Sequence, residues 1–228
     1  MAQLAESRSQ LELRTLELQR LSGQLLRIQD DERRRIARDL HDDLGQQLVV
    51  LKMLLDNKFK NKEIDSQPLE MASAALLKIR NLSYLLHPPL LDESGLLPAI
   101  HWFLEGFKKR SDLQILFDYK PLNFPRLSKD IETSIFRIIQ ESLTNVYRHS
   151  GSKECRIEIH QLGASVIVRV RDFGKGIPPE TAGTIHTGVG IGGMRERLKQ
   201  FGGDLRIRKT EPGTLVEAVV PLLIETVV

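Results

Sequence analysis

An apolar repeat uninterrupted by proline runs from about residue 3 to about residue 58 and constrains the fold more than any other feature. Its first part is a heptad series formed by Leu4, Leu11, Leu18 and Leu25, with Leu21 and Ile28 at the interleaved position. Such spacing is typical of a parallel coiled coil. Apolar positions continue at helical spacing as far as Leu55, so the sequence predicts one long helix. This helix needs partner helices to cover its apolar face.

A second amphipathic helix is predicted after the polar stretch 57–67. It begins at Pro68 and ends at Leu86, where His87-Pro88-Pro89 stops it. His87 is interpreted as a helix-end residue and not as a ligand. Two antiparallel helices bury only one face, and the coiled coil implies a second chain. The sequence therefore predicts a dimeric four-helix bundle.

Length, charge and cysteine content limit the classes of protein that this chain can belong to. Its 228 residues suit two small domains. Its 33 Lys and Arg barely exceed its 30 Asp and Glu, and interleaved charges argue against a nucleic-acid surface. A single cysteine, Cys155, excludes an intrachain disulfide, predicts a buried thiol in a strand, and fits the reducing cytoplasm. No apolar run approaches the roughly 18 residues of a membrane span.

The pattern of elements changes near residue 96. Helices are predicted over 97–109, 127–149 and 194–201, and strands over 113–119, 155–161, 166–171, 204–209 and 214–221. Helices that segregate from a mostly antiparallel sheet predict a two-layer α+β sandwich. The expected domains are a coiled coil over 1–28, a helical hairpin over 29–92 and the α+β domain over 96–224.

His41 is the first candidate for chemistry. It lies in Arg38-Asp39-Leu40-His41-Asp42-Asp43, with carboxylates on both sides and Gln46 five residues further on. Imidazole is a good nucleophile near neutral pH, and a neighbouring carboxylate can fix its tautomer. The alternative interpretation is a solvated histidine on a charged helix.

A second group of motifs indicates a nucleotide site. Glu141, Asn145 and His149 recur every four residues on a predicted helix, where they suit Mg²⁺ and phosphate or form an ordinary polar face. The segment 172–176, Asp-Phe-Gly-Lys-Gly, ends a strand in a turn that allows close approach of a ligand. The glycine-rich segment 188–194 leads into a helix, whose amino terminus favours phosphate. It lacks the ending of a P-loop, which excludes that fold.

These motifs together resemble two known families. Segments 140–149, 172–176 and 188–197 resemble the N, G1 and G2 boxes of GHKL-type ATPases, which have the Bergerat fold. Segment 34–46 resembles the phosphoacceptor box of sensor histidine kinases of the nitrate-sensor and DesK-like subfamily. Segment 86–92 with Gly95-Leu96 resembles the junction of that subfamily. The resemblance covers about residues 27–222.

In the phosphoacceptor box, the resemblance implies three roles. His41 would accept the γ-phosphate of ATP through whichever ring nitrogen Asp42 leaves unprotonated. Asp42 would be the general base and would orient the ring. Gln46, one helical turn beyond Asp42, would position water for dephosphorylating a response regulator.

In the ATPase boxes, the resemblance implies roles in binding ATP and Mg²⁺. Asn145 would ligate Mg²⁺ and Glu141 would assist through water. Asp172 would recognise the adenine amino group, with support from Thr214. Arg148 or His149 would contact phosphates. Gly174 and Gly176 would shape the adenine pocket. Gly188, Gly190 and Gly192 would hinge the lid over ATP.

The leading hypothesis is therefore ATP-dependent phosphorylation of His41, with transfer to an aspartate of a response regulator by a homodimer that also acts as a phosphatase. The alternative is a catalytically idle, nucleotide-switched scaffold. DNA binding by residues 33–38 is a weaker third reading, because acids alternate with those arginines. His160 and His186 are treated as incidental. A coiled coil that begins at Leu4 without an input domain suggests the cytoplasmic part of a larger sensor.

Overall fold

The structure is a computed structural model that describes residues 2–177 and 189–222. The chain divides into two compact units. One is Arg27–Ser94, here called the hairpin unit, and the other combines the first 26 residues with Gly95–Val228. Within the described ranges, none of the helices combines the length and apolar character that crossing a membrane requires.

The long helix predicted at the start of the chain is confirmed, with one irregularity. Helix α1 (Ala2–Asp39) and helix α2 (Gly45–Lys60) are joined by a π turn, Leu40–Leu44. The backbone N–H of Gly45 donates to the carbonyl of Leu40, five residues earlier. A π turn of this kind is rare and occurs frequently at functional sites. The irregularity places His41 inside a π turn.

Helix α3 (Gln67–Leu86) packs against α2 and completes the hairpin. Pro68 lies in its first turn, and extended His87 caps its carboxyl end, so both predicted boundaries are confirmed. A short helix α4 (Pro89–Glu93), which the sequence reading did not predict, follows at once. Proline is favourable in the first turn of a helix, and this explains how Pro89 both follows one helix and starts the next.

The hairpin unit has a small interior and a large uncovered apolar face. Ala37 and Ser83 are almost fully buried, and the Ser83 hydroxyl donates to the Ala37 carbonyl at 2.8 Å. Eleven large apolar residues of the unit are more than 40% exposed in the single chain: Ile28, Leu44, Val50, Leu51, Met53, Leu54, Phe59, Met71, Leu77, Leu82 and Leu85. An apolar patch of this extent marks an interaction surface.

The second unit contains a five-stranded sheet with strand order β1-β2-β3-β5-β4. The strands are β1 (Gln114–Lys120), β2 (Glu154–Leu162), β3 (Ser165–Asp172), β4 (Asp204–Lys209) and β5 (Thr214–Pro221). Strands β1 and β2 are parallel, and the other three pairs are antiparallel. The prediction of a mostly antiparallel sheet is confirmed.

Three helices pack on the sheet: α5 (Leu96–Lys108), α6 (Lys129–Asn145) and α7 (Val189–Lys199). Every residue of α6 from Ile131 to Ile139 is buried, although the sequence predicted a simple amphipathic helix. Helix α6 ends in a second π turn, Val146–Ser150. The arrangement confirms the two-layer α+β class.

Cys155 lies fully buried in β2, as predicted. Burial raises the pKa of its thiol to about 12, and the nearby Asp172 carboxylate adds to this effect. The thiolate is therefore disfavoured at neutral pH, and the residue is an apolar part of the core.

Candidate nucleotide and phosphoacceptor sites

A cavity of about 440 Å³ opens beside α6, α7 and the ends of β3 and β5. One part of its lining is apolar: Val146, Val170, Ile177, Ile191, Met194, Ile207 and Val216. The other part is polar: Ser142, Asn145, His149, Ser150, Asp172, Lys175 and Thr214. An apolar slot with a few convergent polar groups is the usual form of a small-molecule site.

Asp172 supplies the buried acceptor of this cavity. It ends β3 and is only 5% exposed. Its Oδ1 accepts a hydrogen bond from the Gly174 N–H at 2.9 Å, which fixes the carboxylate and leaves Oδ2 to a ligand. A fixed carboxylate beside apolar walls suits a flat heterocycle that carries an amino group.

Close backbone contacts hold Asp172 in place. A Cβ on Gly174 would overlap the Ser150 carbonyl, and Gly176 has a φ of +74° beside the Gly213 carbonyl. Both predicted glycines are therefore part of the pocket's framework. Gly213, with a φ of +97°, was missed, although a Cβ there would overlap the Asp172 carbonyl oxygen and lie 2.8 Å from its Oδ1. The Pro212-Gly213 turn between two predicted strands was the available signal.

Gly213→Ala is expected to weaken ATP binding about tenfold or more, because the added methyl displaces the Asp172 carboxylate and its hydrogen bond. Gly163→Ala is the matched control: Gly163 has a φ of +57° but open space around it. Both variants acquire left-handed backbone strain of roughly 1–2 kcal/mol. Calorimetric titration with ATP should separate them, and equal losses of affinity would contradict this role for Gly213.

The polar end of the cavity lies where α6 gives way to its π turn. Asn145 and His149 line the cavity, whereas Glu141 and Arg148 do not. The predicted spacing of four residues along one face of an α-helix holds for Glu141 and Asn145 only, because His149 belongs to the π turn. No cluster of three His, Cys, Asp or Glu suited to a metal occurs among the described residues. An amide oxygen beside an open cavity still fits Mg²⁺, which takes most of its ligands from water and phosphates.

The predicted lid glycines have different surroundings. Gly190 lies inside α7, where a Cβ would overlap the Glu141 carboxylate, and Gly192 of α7 has open space around it. Both are therefore helical residues of the amino-terminal turns of α7. Gly188, the third predicted hinge, lies outside the described residues, as does His186. Thr214 lines the cavity. Arg171 of β3 pairs with Leu215 of β5, so their neighbours Asp172 and Thr214 lie side by side at the end of these antiparallel strands.

His41 lies in the hairpin unit, half-buried in its π turn. Its ring meets Tyr84 of α3 edge to face, with centroids 6.5 Å apart. Nδ1 is buried and has no hydrogen-bond partner among the described residues, so Asp42 does not bond to that nitrogen. Asp42 and Gln46 are exposed. Because a π turn closes on the fifth residue, Gln46 follows His41 by one π turn.

Comparisons with known proteins match two regions of the chain to known families. Residues 130–224 match the family described as histidine kinase-, DNA gyrase B- and HSP90-like ATPase, and residues 32–91 match the family described as histidine kinase. Sensor histidine kinase LiaS of Bacillus subtilis is 30% identical, with 98% of this chain and 65% of LiaS covered. Sensor histidine kinase MctS of Rhizobium johnstonii is 29% identical, with 90% of this chain and 46% of MctS covered.

A blue-light activated histidine kinase of Erythrobacter litoralis has a similar fold, with a TM-score of 0.52 and 17% identity over 70% of this chain and 60% of that one. The first family match, together with the fold and the cavity, defines an ATPase domain of the GHKL class. With the second family match, the chain carries a histidine kinase core of the nitrate-sensor and DesK-like type. It spans 65% and 46% of the length of the two curated relatives.

Proposed function

We propose that the chain binds ATP in the α+β domain, phosphorylates itself on His41 and passes the phosphate to an aspartate of a response regulator. The observation that carries this proposal is the presence, in one chain, of an adenine-sized cavity with a buried acceptor and a half-buried imidazole in a π turn. Asp172 accepts the adenine amino group, supported by Thr214 beside it. Gly174 and Gly176 keep the backbone close enough for that contact.

The phosphate end of ATP is assigned to the polar end of the cavity. Asn145 offers its amide oxygen to Mg²⁺, and Glu141 acts through water. Mg²⁺, when bound, supplies charge neutralisation for the phosphates. Arg148 and His149 are both exposed, His149 lines the cavity, and one of the two contacts the phosphates from the protein side.

Burial of Nδ1 favours Nε2 as the attacking nitrogen of His41. Nδ1 is buried, so Nε2 is assigned as the nitrogen that reaches ATP, and its lone pair is free in the tautomer that carries the hydrogen on Nδ1. As Nε2 bonds to the γ-phosphorus and the bond to the bridging oxygen of ADP breaks, the ring becomes positively charged, and Asp42 is the proposed acceptor of the Nδ1 proton that it then gives up. Transfer requires Nε2 within about 3–3.5 Å of the phosphorus and in line with the leaving oxygen.

A second copy of the chain is the proposed occupant of the uncovered apolar face of the hairpin unit. The exposed leucines of α2 and α3 form apolar surface on the hairpin. Leu11, Leu18 and Leu25 of the heptad series form apolar surface on the predicted coiled coil. Four helices would bury this surface as a bundle. Gln46, exposed one π turn from His41, is assigned to water positioning during dephosphorylation of the regulator.

Incubation with ATP labelled at either the γ- or the α-phosphate tests this function. The proposal predicts incorporation from the γ-label alone, into a product that acid hydrolyses and alkali does not. An idle nucleotide-switched scaffold predicts ATP binding with no incorporation from either label. That result, obtained with a dimeric and folded sample, would remove the kinase assignment.

A further inference from the structure

Three polar residues connect three helices of the hairpin unit, and we call them the junction network. Arg34 lies on α1, His87 caps α3, and Asp92 lies on α4. Arg34 Nη2 is 3.3 Å from Asp92 Oδ1, and His87 Nε2 is 3.1 Å from Asp92 Oδ2. Arg34 Nε is 3.4 Å from the same ring nitrogen. One carboxylate therefore bridges the guanidinium and the imidazole.

The network is shielded enough to fix its helices. His87 is only 2% exposed, and the side chains of Arg34 and Asp92 are 22% and 26% exposed. A carboxylate only accepts hydrogen bonds, so the 3.1 Å contact assigns the proton to His87 Nε2, and the 3.4 Å approach of Arg34 Nε to that nitrogen is then a contact and not a hydrogen bond. Charge-assisted hydrogen bonds of this kind are about twice as strong as neutral ones. Removing one partner leaves the others shielded and incompletely satisfied.

The network and the phosphoacceptor meet the same end of α3. Arg34 of α1 precedes His41 of the π turn by seven residues, about two helical turns, and the two residues contact His87 and Tyr84 respectively, at the end of α3. Between them, Ser83 donates to the Ala37 carbonyl, and beyond it Tyr84 meets the His41 ring. The junction network, the Ser83–Ala37 hydrogen bond and the Tyr84–His41 contact together hold α1 against α3. A shift of α1 would therefore move His41 and the network together.

The network also holds the start of the connection to the second unit. Asp92 lies two residues before Ser94, where the hairpin unit ends, and Gly95 follows with a φ of +93°. We propose that Arg34, His87 and Asp92 are positioning residues that hold this connection in the geometry from which phosphate reaches His41. The inference rests on the proposed autophosphorylation.

Autophosphorylation rates of the purified dimer test this coupling. Asp92→Asn and Arg34→Gln should each lower kcat about tenfold and leave the KM for ATP within twofold, because position and not binding is lost. The double variant should be no slower than about the slower single variant, because both changes break one network. Arg35→Gln is the matched control: it breaks the exposed pair of Arg35 with Glu32 and should leave kcat within twofold.

Thermal melting and mass measurement confirm that each variant is folded and dimeric. Arg34→Lys replaces Arg34→Gln if that variant is not. Single variants with kcat within twofold of the wild type, or with raised kcat, would overturn the inference. A double variant whose loss of kcat equals the product of the two single losses would also overturn the inference. Absence of labelling in the wild type would instead reject the underlying function, so the two failures are distinguishable.

Discussion

His41→Gln is expected to abolish incorporation of the γ-phosphate and to leave the affinity for ATP unchanged. The glutamine side chain is close in size to histidine but lacks a nucleophilic nitrogen, so the N–P bond cannot form. His41 lies in the hairpin unit and ATP is assigned to the cavity of the other unit, which explains why binding should survive. Labelling with γ-labelled ATP should fall by at least about a thousandfold, to the background of the assay.

His160→Gln provides the matched control for the loss of a histidine. His160 lies on β2, where its Nε2 is 3.5 Å from the Asp118 carboxylate, and it lines neither site. Its replacement should leave labelling within twofold of the wild type. Acid-labile labelling that persists in the His41 variant would show that another residue accepts the phosphate.

Asp172→Asn is expected to weaken ATP binding by about 10- to 100-fold, the cost of losing a hydrogen bond to a charged group. Asparagine can keep the bond from the Gly174 N–H, so the turn should survive. The amide then presents either a neutral oxygen or an NH₂ group to the adenine amino group, and the second choice places two donors against each other. Titration calorimetry with an ATP analogue measures the effect, and labelling should be restored in part at high ATP concentration.

Asp204→Asn controls for the loss of one carboxylate in the same unit. Asp204 lies at the start of β4, where it pairs with Arg206 at 2.9 Å in an exposed position. Its variant should bind ATP as the wild type does. If Asp172→Asn also kept its affinity within twofold, the orientation of adenine in this cavity would have to be reassigned.

Periodicity predicted the fold well because the apolar residues on the buried face of a helix or strand recur at a regular spacing in the sequence. Strands β4 and β5 have the predicted bounds, and the end of α3 before His87 follows from the prolines. Helix α7 begins at Val189 and not at Met194 because Gly190 packs against Glu141 of α6. That tertiary contact overrides the weak helix propensity of glycine, and local sequence carries no sign of it.

The site was predictable only where its residue types were diagnostic. Asp172, Asn145 and Gly176 could be identified because acids, amides and glycines in a fixed order are unusual. The apolar wall of the cavity, Ile207 and Val216 among others, follows the same alternation as any core strand and gave no separate signal. The π turn at His41 depends on backbone hydrogen bonds to the fifth preceding residue, such as the one from Gly45 to Leu40, and the residue pattern gave no sign of them.

The junction network illustrates the same limit. Arg34 and Asp92 are 58 positions apart, and each belongs to a segment that was interpreted by itself. His87 was correctly predicted as a helix-end residue, but its burial against Asp92 depends on α4, a helix of five residues that was not predicted. Long-range pairing of this kind emerges only when the chain folds back on itself.

The central claim is that His41 accepts phosphate from ATP, and locating the phosphate on the labelled protein tests it most directly. Wild-type protein incubated with ATP should be digested at alkaline pH, and the phosphopeptide identified by tandem mass spectrometry. The predicted result is a single phosphate on His41, bonded to Nε2 by the criterion of its phosphorus NMR shift. A phosphate on serine, threonine or another histidine, with His41 unmodified, would contradict the account.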